Sequence, residues 1–231
     1  AKHGTNELYT GIHNNFSSSI DGEITSITST TYGARSDDGS THTYTLSNNI
    51  FSFTDKIGTT YTFGETAASR QNDPNDVTHI AKWMISSITD ANGNAINFTY
   101  TKDHGQIYPD TVSYSGIFTI QFIKESKNDV YASYAKAFLV KTAYRVKAIQ
   151  INTSGTLSRK YDLGYTSSNA SGRSLLSSIT ESGYKESVAT TLPPVNFEYQ
   201  QENPSWDSVT LGTLGSNNPN WGPVHIQDFN A

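Results

Sequence analysis

The chain has no cysteine and a single methionine, and only 16% of its residues are charged. Without cysteine it has no disulfide staples, no thiolate metal sites and no cysteine nucleophile. No apolar run reaches the roughly 20 residues of a membrane-spanning helix. The opening "AKHGTNELYT" lacks the plan of a signal peptide. There is no G-x-S-x-G elbow, no H-E-x-x-H pair, no P-loop and no dinucleotide-type glycine pattern, so neither a nucleotide nor any other cofactor is expected. A net charge of −5 gives no overall attraction to phosphates or anionic lipid, so no nucleic-acid partner is expected. The chain also begins without methionine and stops at "HIQDFNA", which reads as a piece of a longer protein.

What the chain does have is aromatic and turn-forming. It holds 14 Tyr and 10 Phe among 231 residues, with abundant Thr, Ser, Asn and Gly, a balance that favours strands and tight turns. Its length suits one large β domain or two small ones. In "NNIFSFTDKIGTTYTFGE", Phe51 and Phe53 share a parity, "DKIG" breaks the run, and Tyr61 and Phe63 share a parity again, which reads as a hairpin. The same alternation recurs at Ile96, Phe98 and Tyr100, at Phe118, Ile120 and Phe122, and at Ile149 and Ile151 before the turn "NTSG". "LLSSITESGYKES" and "PPVNFEYQ" add two more strand candidates. The expected fold is all-β, mostly antiparallel sheets built from successive hairpins, either sandwich-like or wound, with at most one short helix. That helix would fall in "DVYASYAKAFLV", where Val130, Tyr134 and Phe138 have helical spacing; an ordered loop is the alternative.

"DANGNAINFTY" poses a choice between metal and corner. Asp90, Asn92 and Asn94 are spaced like calcium ligands, but glycine stands fourth rather than sixth, and Thr101 occupies the position where a bidentate glutamate belongs. The preferred reading is a hairpin with a type I′ Asn-Gly turn and no metal site. His42 lies close to Ser40 and Asp38, but near neighbours along a strand alternate faces and make no triad unaided. Asp37 with Asp38, Asp73 with Asp76 and Glu125 with Asp129 read as solvated turn carboxylates, so no catalytic residue is assigned.

The best local binding candidate lies between Lys124 and Lys147. Lys124, Lys127, Lys136, Lys141, Arg145 and Lys147 are interleaved there with Tyr131, Tyr134 and Tyr144, a combination that could meet an anionic partner or a glycan. The plainer reading is that these cations line strand edges and discourage edge pairing. Trp83 is expected in the core. From Gln201 the chain turns rich in Asn, Pro, Ser and Gly and reads as a connector, in which Trp206, Trp221 and Phe229 are candidate docking residues.

"TTYTFGETAASR", "AKWMISSITDANGNAINFTYT", "YPDTVSYSG", "GRSLLSSITESG" and "LPPVNFEYQ" occur in the order seen in the SpvB-type domain, which this chain resembles from Phe51 to Gln200. That domain forms the N-terminal half of the Salmonella plasmid virulence B protein and opens the B component of insecticidal toxin complexes. The resemblance implies an SpvB-like β domain over residues 1–200, with 1–50 poorly matched. Residues 201–231 would be a connector and the start of a truncated FG-GAP type β-propeller. It further implies a non-catalytic scaffold in a secreted or surface-delivered toxin-like protein, partnered by propeller and Rhs-type domains that enclose or deliver a C-terminal effector. The ADP-ribosyltransferase domain of the virulence protein does not carry over, because its E-x-E pair is absent. A carbohydrate-binding or adhesion module is the alternative.

Overall fold

The computed structural model describes residues 15–36, 39 and 42–200. It begins as a run of short hairpins. Strands β1 (Asn15–Ser18), β2 (Gly22–Ser26), β3 (Thr31–Ala34), β4 (Thr43–Ser47), β5 (Ile50–Thr54) and β6 (Thr60–Phe63) pair each with the next, all antiparallel. A single 3-10 turn at Ala67–Ser69 leads into an excursion, β7 (Arg70–Asn72) and β8 (Ile80–Trp83), which form their own two-stranded sheet. The chain then rejoins the main sheet at β9 (Ile85–Thr89), which pairs with β6. Longer strands follow: β10 (Ala95–Asp103), β11 (Gln106–Tyr114), β12 (Phe118–Ser133), β13 (Val140–Thr153), β14 (Thr156–Ser167) and β15 (Ser174–Lys185). β16 (Val188–Thr191) and the short β17 (Val195–Asn196) both pair with β15.

The result is one open sheet of 15 strands that follows chain order, except that β6 passes over the β7–β8 excursion to β9 and that β17 pairs with β15 rather than with β16. Of the two architectures the alternation allowed, it is the continuous sheet and not a sandwich of two. The stretch with helical spacing is extended instead. Val130 and Tyr131 lie near the end of β12, which runs to Ser133, and Tyr134 to Leu139 form a loop in which the Ala137 amide donates to the Tyr134 carbonyl at 2.9 Å. Pairing with Lys141 and Thr142 of β13 outweighs the helix preference of its alanines.

Turn chemistry fixes the register. Asn48-Asn49, His104-Gly105, Ser154-Gly155 and Glu186-Ser187 each carry two consecutive positive φ angles between strands that meet directly, the geometry of two-residue primed turns. At 90–94 the expected type I′ turn is not what forms, since of the Asn-Gly pair only Gly93 has positive φ. The Gly93 amide donates to the Asp90 carbonyl (3.0 Å), and the Asp90 amide donates to the Asn94 carbonyl (2.9 Å). The loop at 55–59 repeats this pattern: Gly58 donates to Asp55 (3.1 Å) and Asp55 to Thr59 (2.9 Å). The two D-x-x-G loops lie side by side, a Cβ on Gly58 falling 3.1 Å from that of Ala91.

The core gathers under the first six strands. Ile24, Tyr32, Tyr44, Phe51 and Phe53 are buried together, with Phe16, Leu46, Tyr61, Phe63 and Trp83 packed against them. The parity read from the sequence is realised in the register, Phe51 opposite Phe63 and Phe53 opposite Tyr61. Phe53 stacks on Tyr61 with centroids 4.7 Å apart, and Phe16 meets Phe51 edge-on at 5.0 Å. Trp83 closes the cluster as expected, its indole N–H donating to the Asn49 carbonyl at 2.8 Å.

Candidate functional site

Two clusters of polar and aromatic groups stand out among the described residues. The first joins β12, β13 and β15. The β13–β14 ladder runs from Thr153↔Thr156 only to Ala148↔Asp162; beyond that point β13 pairs with β12, and β14 pairs with β15. Side chains bridge the divergence. Arg145 donates through Nε to Glu125 (2.8 Å) and through Nη1 to Ser174 Oγ (2.7 Å), and its guanidinium lies 4.1 Å above the Tyr165 ring. Tyr165 donates to the Val146 carbonyl at 2.5 Å, and burial raises its phenol pKa above the ordinary value. Asp129 accepts from the Ser174 hydroxyl (2.6 Å) and amide (3.0 Å), with Lys127 at 3.6 Å. Those Ser174 hydrogen bonds hold the Asp129 carboxyl well below the usual carboxylate range.

This region contains the residues singled out for binding, and it scatters them. Arg145 is spent on Glu125, Ser174 and Tyr165. Tyr131 lies under Arg173, with 5.2 Å from guanidinium to centroid, while Tyr144 meets Tyr108 edge-on at 5.6 Å. Tyr144 and Arg145, consecutive on β13, point to opposite faces. Tyr134, 68% exposed, sits on the loop after β12, and Lys136 lies on the same loop. The β11–β12 register ends at Thr111↔Gln121, yet Lys124 still reaches back to Asp110 of β11 at 3.0 Å, and Lys127 lies in the irregular stretch of β12 between Ser126 and Tyr131, beside Asp129. Trp206, Trp221 and Phe229 lie outside the described residues.

The second cluster was not legible in the sequence. Asp21, 2% exposed at its side chain, accepts from the Tyr44 hydroxyl and lies 3.1 Å from His42 Nδ1. Ser18 Oγ is 2.8 Å from the Tyr44 oxygen. Burial and the Asp21 hydrogen bond hold the Tyr44 phenol far above its ordinary range. The carboxylate partner of His42 is thus 21 residues away across the β1–β2 turn, and Asp38 and Ser40 lie outside the described residues. No local spacing announces such a pair.

At 90–94 the carboxylate of Asp90 is occupied by its own loop. One oxygen accepts from the Asn92 and Asn94 amides (2.9 and 2.8 Å) and the other from the Asn94 side chain (2.8 Å), which lowers its pKa. Asp55 does the same for Ile57 and Thr59. A groove of about 480 Å³ runs between the β14–β15 loop and the last described residues, lined by Ser168, Asn169, Leu175, Phe197, Glu198 and Tyr199 among others. Glu198 is the one charged residue in its lining.

Residues 38–145 match the family described as "Salmonella virulence plasmid 65kDa B protein". This stretch, a little under half of the chain, is similar to the SpvB family. The fold extends the likeness beyond it. The N-terminal domain of effector protein SpvB from Salmonella typhimurium strain LT2 superposes with a TM-score of 0.59 at 17% identity, over 71% of this chain and 70% of that one. A TcdB2-TccC3-Cdc42 crystal structure gives 0.62 at 16% identity, and a Photorhabdus luminescens Tc holotoxin pore gives 0.64 at 15%. These two cover 80% and 77% of this chain but only 12% and 11% of theirs, so the chain spans a small part of the toxin-complex chains it matches. At such identities the likeness is one of fold. No curated protein matches the chain. The segment similar to SpvB therefore lies within a fold shared with the SpvB N-terminal domain and the toxin-complex chains, in line with the resemblance the sequence motifs carry.

Proposed function

We propose that this chain is a non-catalytic scaffold domain of a toxin-like bacterial polypeptide, a piece of wall that helps to enclose or deliver a C-terminal effector. The observation that carries this reading is the open sheet of 15 strands, which follows chain order except where β6 passes over the β7–β8 excursion to β9 and where β17 joins β15. Such a meander makes surface rather than cleft. Its conspicuous polar clusters fit the same role, since Arg145, Asp129 and Asp21 hold strands to one another. Fold likeness to an effector's N-terminal domain and to toxin-complex chains supports the assignment. On this reading the protein is secreted or surface-delivered, and residues 201–231 lead to a propeller-type domain and on to Rhs-type repeats, with Trp206, Trp221 and Phe229 as contacts.

The test uses the whole polypeptide that carries this chain. Replacing Phe53 by Asp, which puts a charge into the aromatic cluster, is expected to expose the downstream effector region to protease while leaving the effector's own activity intact. Turnover of any ester, glycoside or nucleotide by the purified 231-residue chain would sink the scaffold reading. Exposed Tyr134 favours a second reading, a glycan-binding module. Retention on a glycan array that vanishes in Tyr134→Ala would establish it.

A further inference from the structure

The β7–β8 excursion places a cation where the wall role asks for none. Of the five arginines in the sequence, Arg35, Arg145 and Arg159 pair with carboxylates and Arg173 lies over the Tyr131 ring. Arg70, half-buried on β7, has neither a carboxylate within ion-pair distance nor a hydrogen-bond partner for its side chain among the described residues. Carboxylates are not scarce, since Asp and Glu number 21 against 16 Lys and Arg. A partly covered charge with no counter-charge is unfavourable, and it calls for one from outside the chain.

A second cation is held beside it. Lys102 reaches over from β10 and donates through Nζ to the Ala67 carbonyl at 3.3 Å and to the Asn72 side-chain oxygen, so its head lies against the segment 67–72 that carries Arg70. Arg70 and Asn72, two apart on one strand, share a face. Desolvation, and after it the charge of Arg70, lowers the pKa of the Lys102 amine below its ordinary value. Glu65 and Asp73, which flank the segment, make no ion pair with either cation, and Asp103 lies instead 2.8 Å from His104 Nδ1.

Both cations are positioned before any ligand arrives. The Arg70 stem packs beside Gly64, where a Cβ would fall 3.1 Å from Arg70 Cγ, and stands opposite Trp83 in the β7–β8 ladder. Lys102 is tied by its two acceptors. Donors fixed in this way lose less freedom on binding than free surface side chains do. Lys102 keeps one N–H unused, and the guanidinium donors of Arg70 are uncommitted among the described residues. Several donors and two positive charges side by side suit a group with several acceptor oxygens and a double negative charge. We propose that Arg70 and Lys102 form a binding site for a tetrahedral dianion of the phosphate type. The site goes beyond the scaffold reading and does not depend on it.

Titration of the full 231-residue chain with inorganic phosphate, followed by NMR at about pH 8 and constant ionic strength, tests it. Saturable shifts are expected at the Arg70 Nε–H, the Lys102 side chain and the Asn72 side-chain amide. The affinity should fall by about tenfold or more in Arg70→Gln and in Lys102→Gln. Arg35→Gln, which removes the same charge from an exposed ion pair, should leave it unchanged. Glycerol 3-phosphate separates the sources: binding as tight as that of inorganic phosphate assigns the site to a phosphate carried on a larger molecule, and weaker binding assigns it to the free ion. Shifts that rise without saturating, acetate binding as tightly as phosphate, or an affinity unchanged in both variants overturns the inference.

Discussion

At the scale of single residues, the sheet is held by a few groups whose environment differs sharply from solvent. Asp129 is the clearest case. Its folded pKa is depressed by the Ser174 hydrogen bonds, so the stability it contributes is present above the unfolded carboxylate value of about 3.9 and is lost as pH falls further toward the folded value. Asp129→Asn should therefore flatten the decline in melting temperature between about pH 4 and pH 2. Thermal scans across that range check it; an acid limb as steep as that of the unmodified chain would show the group to be uncoupled from folding. Gly64 is a second such residue. Its φ of +71° suits glycine, and a Cβ there would lie 2.3 Å from Trp83 Cδ1. Gly93 has a similar φ, +86°, but open space around it. Gly64→Ala should cost more than Gly93→Ala, which bears only the left-handed backbone penalty of about 1–2 kcal/mol. Equal urea midpoints for the two would refute the clash.

At the scale of elements, alternation and turn chemistry decide which strands carry the stability. β5 and β6 place Phe51, Phe53, Tyr61 and Phe63 in one aromatic cluster, and Phe53 is only 4% exposed. Phe118 at the start of β12 is 47% exposed. Phe53→Ala is accordingly expected to lose about 3–5 kcal/mol in urea unfolding, and Phe118→Ala less than about 1 kcal/mol. Much of this was legible: the shared parities of Phe51 with Phe53 and of Tyr61 with Phe63 already put these residues on one face. The turn at 90–94 was legible only as a turn. Asn-Gly favours a two-residue turn, but Asp90 two residues before Asn92 offers its carboxylate to both the Asn92 and Asn94 amides, and a longer loop results. The repeat of D-x-x-G at 55–58 was the available signal. The helical spacing of Val130, Tyr134 and Phe138 gave no helix: Tyr131 to Ser133 found partners in β13, and Tyr134 to Leu139 form the loop that was the alternative.

For the whole molecule, the distribution of the core matters more than its size. The buried aromatic cluster lies under the first six strands and Trp83, while the long strands β12 to β15 contain mostly half-buried residues. Local opening should follow that gradient, because stability per element tracks buried apolar contact. Amides in β4 and β5 are expected to exchange at least tenfold more slowly than those at the Thr166–Ser174 end of the β14–β15 hairpin. Uniform protection from β1 to β15 would indicate a cooperative sheet in which the cluster holds no special place.

What the sequence determined by itself is whatever depends on neighbours within a few residues: extended segments, the positions of turns, the face to which each aromatic belongs, and the motifs that tie residues 38–145 to SpvB. The tertiary structure decided the rest: that the hairpins join into one open sheet, that Arg145 and Tyr131 are taken up by partners, and that His42 finds its carboxylate at Asp21. A period of two is written locally and reads the same in a sandwich or in a continuous sheet. Which edge meets which, and which charge meets which, depends on contacts between residues tens of positions apart, and those exist only once the chain has folded.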